Sequence, residues 1–311
     1  MILTVTLNVA IDKRYVVDNF KINEVNRVLE CQYSAGGKGL NVSRVAKIAG
    51  EEVTATGFIG GNAGSYIVEE LDKWKIKSDF VPVLGESRSC INLYDAKNKT
   101  QTEFLEPGVT VGKEDEKKLL EKFEELVQRH SIITISGSVP TGSDEKIYEH
   151  LIKIAKKHNK KVLLDTSGQR LVDGIKAKPT LIKPNIDEIQ MLAGRQVKDR
   201  EDLINIARKI HEDGIEIVVV SLGKEGSILV TKEGTYQAKV PEIKAVNTVG
   251  CGDSMIAGFA IALRKGMNII DTIKLASAIS AANALREETG FYIKEDMEGL
   301  LSKIKVEKIS N

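Results

Sequence analysis

Four short runs of aliphatic and β-branched residues limit the fold most: residues 131–136 (SIITIS), 161–165 (KVLLD), 180–183 (TLIK) and 215–220 (IEIVVV). They are nearly unbroken apolar runs without alternation, as expected of strands covered on both faces. Between them, apolar residues recur at helical spacing: Leu119, Leu120, Phe123, Leu126 and Val127; Ile147, Leu151, Ile154 and Ala155; Leu203, Ile206, Ala207 and Ile210. Such stripes pack helices onto a sheet. The alternation predicts a doubly wound, mainly parallel α/β sheet flanked by helices. No linker or repeat divides the chain, so residues 1–311 are read as one domain, long enough to bury a sizeable core.

Two stretches depart from this rhythm, about 12–34 and about 86–106. Tyr15-Val16-Val17 and Cys90-Ile91-Asn92-Leu93-Tyr94 alternate between apolar and polar. They read as antiparallel strands open to water on one face, able to pair into a small projecting β-sheet.

Charge narrows the partners. Lys+Arg number 45 and Asp+Glu 44, a formal net charge of +1. That balance gives no global field for nucleic acid or an anionic membrane. Three widely spaced cysteines form neither a disulfide framework nor a zinc pattern, which suits a reducing compartment. The opening residues, MILTVTLN, read as a strand and not as a basic leader, and no apolar run has membrane-helix length. A cytoplasmic location is expected.

The most informative segment is Asn247-Thr248-Val249-Gly250-Cys251-Gly252-Asp253-Ser254, followed by a small-residue helical pattern. Two glycines around one residue at a helix start can aim several N–H groups at an anion, beside the positive end of the helix. Asp253 then falls on the first turn. Alone, this is an Asp cap after a glycine turn. Its company argues for more. Ala35-Gly36-Gly37-Lys38-Gly39-Leu40-Asn41 is neither a Walker A loop nor a dinucleotide fingerprint, yet its glycines let backbone approach a ligand. Asn41, one turn on, offers both donor and acceptor. Asn185 and Glu188 fall three apart at a helix start, as either a capping box or oxygen ligands for Mg²⁺ through water. Ser221-Leu222-Gly223-Lys224-Glu225-Gly226 alone reads as a hairpin. The histidines His130, His150, His158 and His211 lie in or near the second halves of helices and read as solvated.

Together these elements resemble the PfkB, or ribokinase-like, carbohydrate kinases over nearly the full length. Gly36 to Asn41 is similar to that family's N-terminal glycine signature, and Asn247 to Ser254 to its C-terminal one. Thr4 to Asp12, Glu86-Ser87-Arg88, Ser136 to Pro140 and Asp165 to Gly168 look like the hexose-phosphate branch: 1-phosphofructokinase, tagatose-6-phosphate kinase and the minor 6-phosphofructokinase. Val9 and Cys251 depart from the usual Pro and Ala or Ser, and neither removes a reacting group.

The resemblance implies an ATP-dependent kinase with a β-sheet lid formed by the two departing stretches, which in relatives often makes a homodimer contact. Asp253 would be the base, and the N–H groups of Gly250, Cys251 and Gly252 the anion hole. Asp12, Gly37 and Asn41 would hold sugar hydroxyls. Arg27, Lys38, Arg88 and Ser138 would surround the substrate's own phosphate. Lys183, Asn185, Ser221, Gly223 and Gly226 would line the ATP site, with Glu188 and Asn185 holding Mg²⁺ through water. The expected reaction phosphorylates a ketohexose monophosphate, with tagatose 6-phosphate and fructose 1-phosphate as leading substrates. A kinase of an unphosphorylated sugar or nucleoside is the rival within the class, and Arg27 with Arg88 count against it. A catalytically silent sugar-phosphate sensor would not need Asp253, and a dehydrogenase lacks its fingerprint. The Cys251 thiol is read as a stand-in for alanine. The helix end would favour its thiolate and Asp253 would oppose it.

Overall fold

The computed structural model describes residues 1–310. In chain order the elements are β1 (Ile2–Thr6), β2 (Ala10–Val17), β3 (Glu30–Gly36), α1 (Lys38–Ile48), β4 (Val53–Ile59), α2 (Gly61–Lys73), β5 (Lys77–Ser78), β6 (Val81–Pro82), β7 (Arg88–Asp95) and β8 (Thr100–Leu105). They continue with α3 (Lys113–Arg129), β9 (Ile132–Ser136), α4 (Ile147–Lys157), β10 (Lys161–Asp165), α5 (Gly168–Lys176), β11 (Leu181–Ile182), α6 (Ile186–Ala193) and α7 (Arg200–Glu212). The last are β12 (Ile217–Ser221), β13 (Ser227–Thr231), β14 (Gly234–Lys239), α8 (Cys251–Lys265), α9 (Ile269–Ala284), α10 (Lys294–Leu301) and β15 (Lys305–Ser310).

The large sheet runs β15-β14-β13-β12-β11-β10-β9-β1-β4-β5, with β6 also on β4. From β12 to β5 every pairing is parallel, and β13 to β15 add an antiparallel edge. Successive strand residues point to opposite faces. Ile217 and Val219 therefore join one core with α1, α8 and α9, while Val218 and Val220 join the other with α3, α4 and α7. Both faces are buried, so the runs read from sequence carry no polar alternation.

From β1 the chain goes first to β4 on one side and returns later, through α3, to β9 on the other, so the strand order reverses at β1. In such sheets the crevice at the carboxyl ends of the strands, where the order reverses, is the natural ligand site. Over that crevice stands a second sheet, β3-β2-β7-β8. Burial does not alternate along its strands as the sequence predicted: β8 is exposed along its whole length and β2 and β7 are mostly half-buried, because the sheet stands clear of the main core. β2 and β7 also pair in parallel, where antiparallel strands were expected throughout. Each of the two strands leaves the main sheet outward, and each returns through its own antiparallel partner, β3 or β8.

One histidine differs from expectation. His130 is buried, not solvated: one ring nitrogen lies 2.6 Å from Leu126 O and the other 3.0 Å from Thr54 Oγ1. Burial holds its pKa below the ordinary value. Among the described residues, no helix is long and apolar enough to cross a membrane.

Candidate active site

The carboxyl ends of β1, β9, β10, β11 and β12, the start of α8 and the inner face of the small sheet enclose a cleft of about 820 Å³. Of the residues singled out from sequence, Asp12, Gly37, Lys38, Asn41, Arg88, Ser138, Lys183, Asn185, Ser221, Gly250, Gly252 and Asp253 line it. Arg27, Gly223, Gly226, Glu188 and Cys251 do not. Arg27 is exposed on the loop joining β2 to β3. Gly223 and Gly226 bracket the turn between β12 and β13, where Leu222 N donates to Gly226 O at 2.9 Å.

Gly250 caps α8 in the left-handed region, with φ of 80°. A Cβ there would meet Thr289 Cγ2 at 2.7 Å and Gly290 N at 2.8 Å, so only glycine fits. Among the described residues, the N–H groups of Gly250, Gly252 and Asp253 have no backbone acceptor. They sit at the positive end of a long helix, which is a ready anion cradle. The N–H of Cys251, expected in the same cradle, instead turns back to Thr248 O at 3.3 Å. Its sulfur lies 3.5 Å from Asn283 Nδ2. Burial pushes the Cys251 thiol up to about 11, and Asp253 adds to the rise. The helix end does not make a thiolate here. Alkylating reagent at neutral pH should therefore label exposed Cys31 well before Cys251, as peptide mapping would show.

Asp253 is buried on the first turn of α8. Burial pushes its carboxyl up to about 6; Lys38 and Lys183 oppose the rise and Asp165 adds to it. Asn41 Nδ2 donates to Asp253 Oδ2 at 2.8 Å. Such a group is ionised at neutral pH yet close enough to its midpoint to take a proton. Asp12 is also pushed up to about 6 by burial, with Arg44 the main opposing charge. Gly36 makes room for it, since a Cβ there would fall 2.0 Å from Asp12 Cγ.

Two cations converge on Asp165 at the end of β10. Lys183 Nζ lies 3.3 Å from one carboxylate oxygen and Lys38 Nζ 3.6 Å from the other. Burial works to raise the Asp165 pKa, but the two ammonium groups more than offset it and hold it ionised. Asp165 in turn keeps Lys38 protonated. Lys183 Nζ would lie 3.2 Å from a Cβ at position 252, so it stands beside the α8 cradle. Further along the cleft, Arg88 is fixed from three sides. Its Nε donates to Asn8 O at 3.3 Å, Nη1 to Glu106 O at 3.1 Å and Nη2 to Ser138 Oγ at 3.4 Å. Asn185 and Glu188 form a reciprocal capping box on α6, at 2.8 and 2.9 Å. That engages one Glu188 oxygen and leaves the other free.

Asp165 was missed as a site residue, although an acidic residue ending an apolar strand is itself a signal. Arg44 and the loop carrying Glu287 and Thr289 also line the cleft, and they carry no motif.

A glycine-and-helix anion cradle beside a buried carboxylate and several cations suits transfer of a charged group to a hydroxyl, the work of a phosphotransferase. The pfkB family carbohydrate kinase profile matches residues 5–296. A Staphylococcus aureus protein provisionally described as a phosphofructokinase is 32% identical, with full coverage of both chains and a TM-score of 0.86. A Thermotoga maritima protein provisionally described as a 1-phosphofructokinase is 30% identical over 99% of each chain, with a TM-score of 0.89. Escherichia coli phosphofructokinase-2, solved in complex with potassium, is 26% identical over 97% of this chain and 98% of its own, with a TM-score of 0.92. The chain belongs to the pfkB family of carbohydrate kinases and is an ATP-dependent sugar kinase.

Proposed function

We propose that this kinase transfers the γ-phosphoryl of ATP to a hydroxyl of a ketohexose monophosphate, giving a bisphosphate. Arg88 carries the reading. It is a cation already tied to Ser138 and belongs to a different part of the cleft from the α8 cradle, so it suits a second phosphate. Asp253 takes the proton from the sugar hydroxyl, and the N–H groups of Gly250, Gly252 and Asp253 stabilise charge on the phosphoryl in transit. Asp12, Gly37 and Asn41 hold the sugar. Lys38 serves both ends, paired with Asp165 beneath the phosphoryl path. Lys183, Asn185 and Ser221 face the nucleotide, and the Gly223–Gly226 turn forms its outer rim.

Among the described residues, no three His, Cys, Asp or Glu gather into a metal cluster. Mg²⁺ arriving on ATP phosphates needs only one or two carboxylates with water between. The free oxygen of Glu188 fits that demand, while Asp165 Oδ2 is already paired with the Lys38 ammonium at 3.6 Å. Bound Mg²⁺ would neutralise phosphate charge there.

The chain acts as one kinase domain with the small sheet as its lid. The β2–β3 loop presents Ile22, Val25 and Leu29 to solvent, and the sheet itself Tyr33, Phe104 and Leu105, at up to 86 % exposure. Apolar exposure on this scale calls for a cover. A homodimer through the lids at micromolar concentration is the expected result of sedimentation, and a monomer would remove that contact. Any contact of Arg27 with substrate phosphate would have to come from the neighbouring subunit of such a dimer.

Coupled measurement of ADP release with tagatose 6-phosphate, fructose 1-phosphate and fructose 6-phosphate tests the proposal. Turnover with at least one, at kcat/KM above about 10⁴ M⁻¹s⁻¹, is expected. No turnover with any would refute it.

A further inference from the structure

Arg44 lies in α1, where residues 39–46 are all buried, and is itself only 6 % exposed. A guanidinium out of water must place its donors on acceptors. Nη1 donates to Thr289 O at 2.6 Å and to Asn41 Oδ1 at 3.3 Å, and Nη2 donates to Ala35 O. The three acceptors belong to the loop after α9, the sugar-facing turn of α1 and β3, an edge strand of the lid. Arg44 ties these parts together at the floor of the cleft.

An arginine has no acceptor atom, so the Asn41 atom facing it must be the carbonyl oxygen. The amide nitrogen is then turned away, to where it donates to Asp253 Oδ2 at 2.8 Å. A flipped amide would set its NH₂ against the guanidinium and its oxygen against the carboxylate, losing both bonds. We propose that Arg44 is a positioning residue for phosphoryl transfer, locking the Asn41 amide that orients Asp253 and lending its charge to the sugar-facing Asp12. This rests on the roles given above to Asp253 and Asp12.

The charges around these groups fix the direction of the effect. Asp12 is faced by Arg44 from α1, Arg88 and Cys90 from β7 and Asp253 from α8. Asp253 is faced by Lys38 and Asn41 from α1, Asp165 from β10, Lys183 after β11 and Cys251 on its own helix. Arg44 also faces Glu70 of α2. Removing the Arg44 charge leaves Asp12 with one fewer opposing cation. Asp12 then holds its proton to higher pH.

The test compares wild type, Arg44→Met and Arg44→Lys. It follows kcat and kcat/KM for the best ketohexose phosphate from pH 5 to 9, the ATP KM, and the thermal midpoint. For Arg44→Met, the acid limb of sugar kcat/KM should move up by about one pH unit. Its plateau kcat should fall roughly 10- to 100-fold, with the ATP KM changed less than about twofold. Arg44→Lys keeps the charge, so its limb should stay near the wild-type position. A single ammonium cannot span three acceptors, so its plateau kcat per folded enzyme should still fall at least about fivefold. An Arg44→Met limb at the wild-type position overturns the proposal, as does a loss of activity fully matched by loss of folded protein. If Arg44→Met does not fold, Arg44→Lys decides: a smaller than fivefold drop overturns it and a larger one with unchanged ATP KM supports it. Asp253→Asn separates the two layers. Near-wild-type turnover there defeats the base assignment, whereas an inactive Asp253→Asn with an unmoved Arg44→Met limb defeats only the role of Arg44.

Discussion

Asp253→Asn is expected to lower turnover by roughly 10²–10⁴-fold while leaving the KM for sugar phosphate and ATP within a few-fold of wild type. The asparagine oxygen can still accept from Asn41 Nδ2, so the contact at 2.8 Å and the start of α8 survive, but no proton can be taken. The same change should stabilise the fold at neutral pH. The Asp253 carboxyl is raised by burial from 3.8 to about 6. Between those values the native state binds more protons than the unfolded chain, so stability falls as pH rises through the window and the deficit persists above it. Removing the charge should recover on the order of 1–3 kcal/mol at pH 7, visible as a higher midpoint in thermal melts. In wild type, kcat/KM should fall as pH drops through about 6, where the base Asp253 and the sugar-holding Asp12 both become protonated. Turnover of Asp253→Asn within a few-fold of wild type would remove Asp253 from the mechanism.

Arg88→Ala should raise the KM for the sugar phosphate by roughly 30- to 1000-fold, about 2–4 kcal/mol, and leave the ATP KM nearly unchanged. The guanidinium is held by Asn8 O, Glu106 O and Ser138 Oγ before substrate arrives, so little ordering cost remains for binding. Arg88→Lys keeps a charge but not the three-way fixation, and should recover only part of the loss. Steady-state kinetics with both substrates varied checks this. An equal rise in both KM values would point to a disturbed lid and not to a lost phosphate contact.

The parts of this molecule that sequence discloses are those where local pattern and final environment coincide. The run 215–220 has no polar alternation because Val218 and Val219 enter opposite cores. Glycines near 36 and 250 mark close approaches that a Cβ would block. The remainder depends on distant partners. Alternation in 86–106 marks strands but not which way a neighbour runs, so the parallel pairing of β2 with β7 is invisible. His130 sits at a helix end like a solvated histidine, and only Thr54, 76 residues away, makes it a buried one. Cys251 has the local setting of an activated thiol, yet the burial supplied by its surroundings reverses that. Arg44 finds its acceptor at Thr289, 245 residues along the chain, and no local spacing could announce it.

The central claim is that the acceptor already carries a phosphate. The most direct measurement is the ratio of kcat/KM for a ketohexose monophosphate to that for the same ketohexose without phosphate, at saturating MgATP. Loss of a charge-assisted contact in a closed site predicts a preference of at least about 10²–10³ for the phosphorylated sugar. Equal efficiency, or preference for the free sugar, would contradict the claim and leave a kinase of an unphosphorylated acceptor.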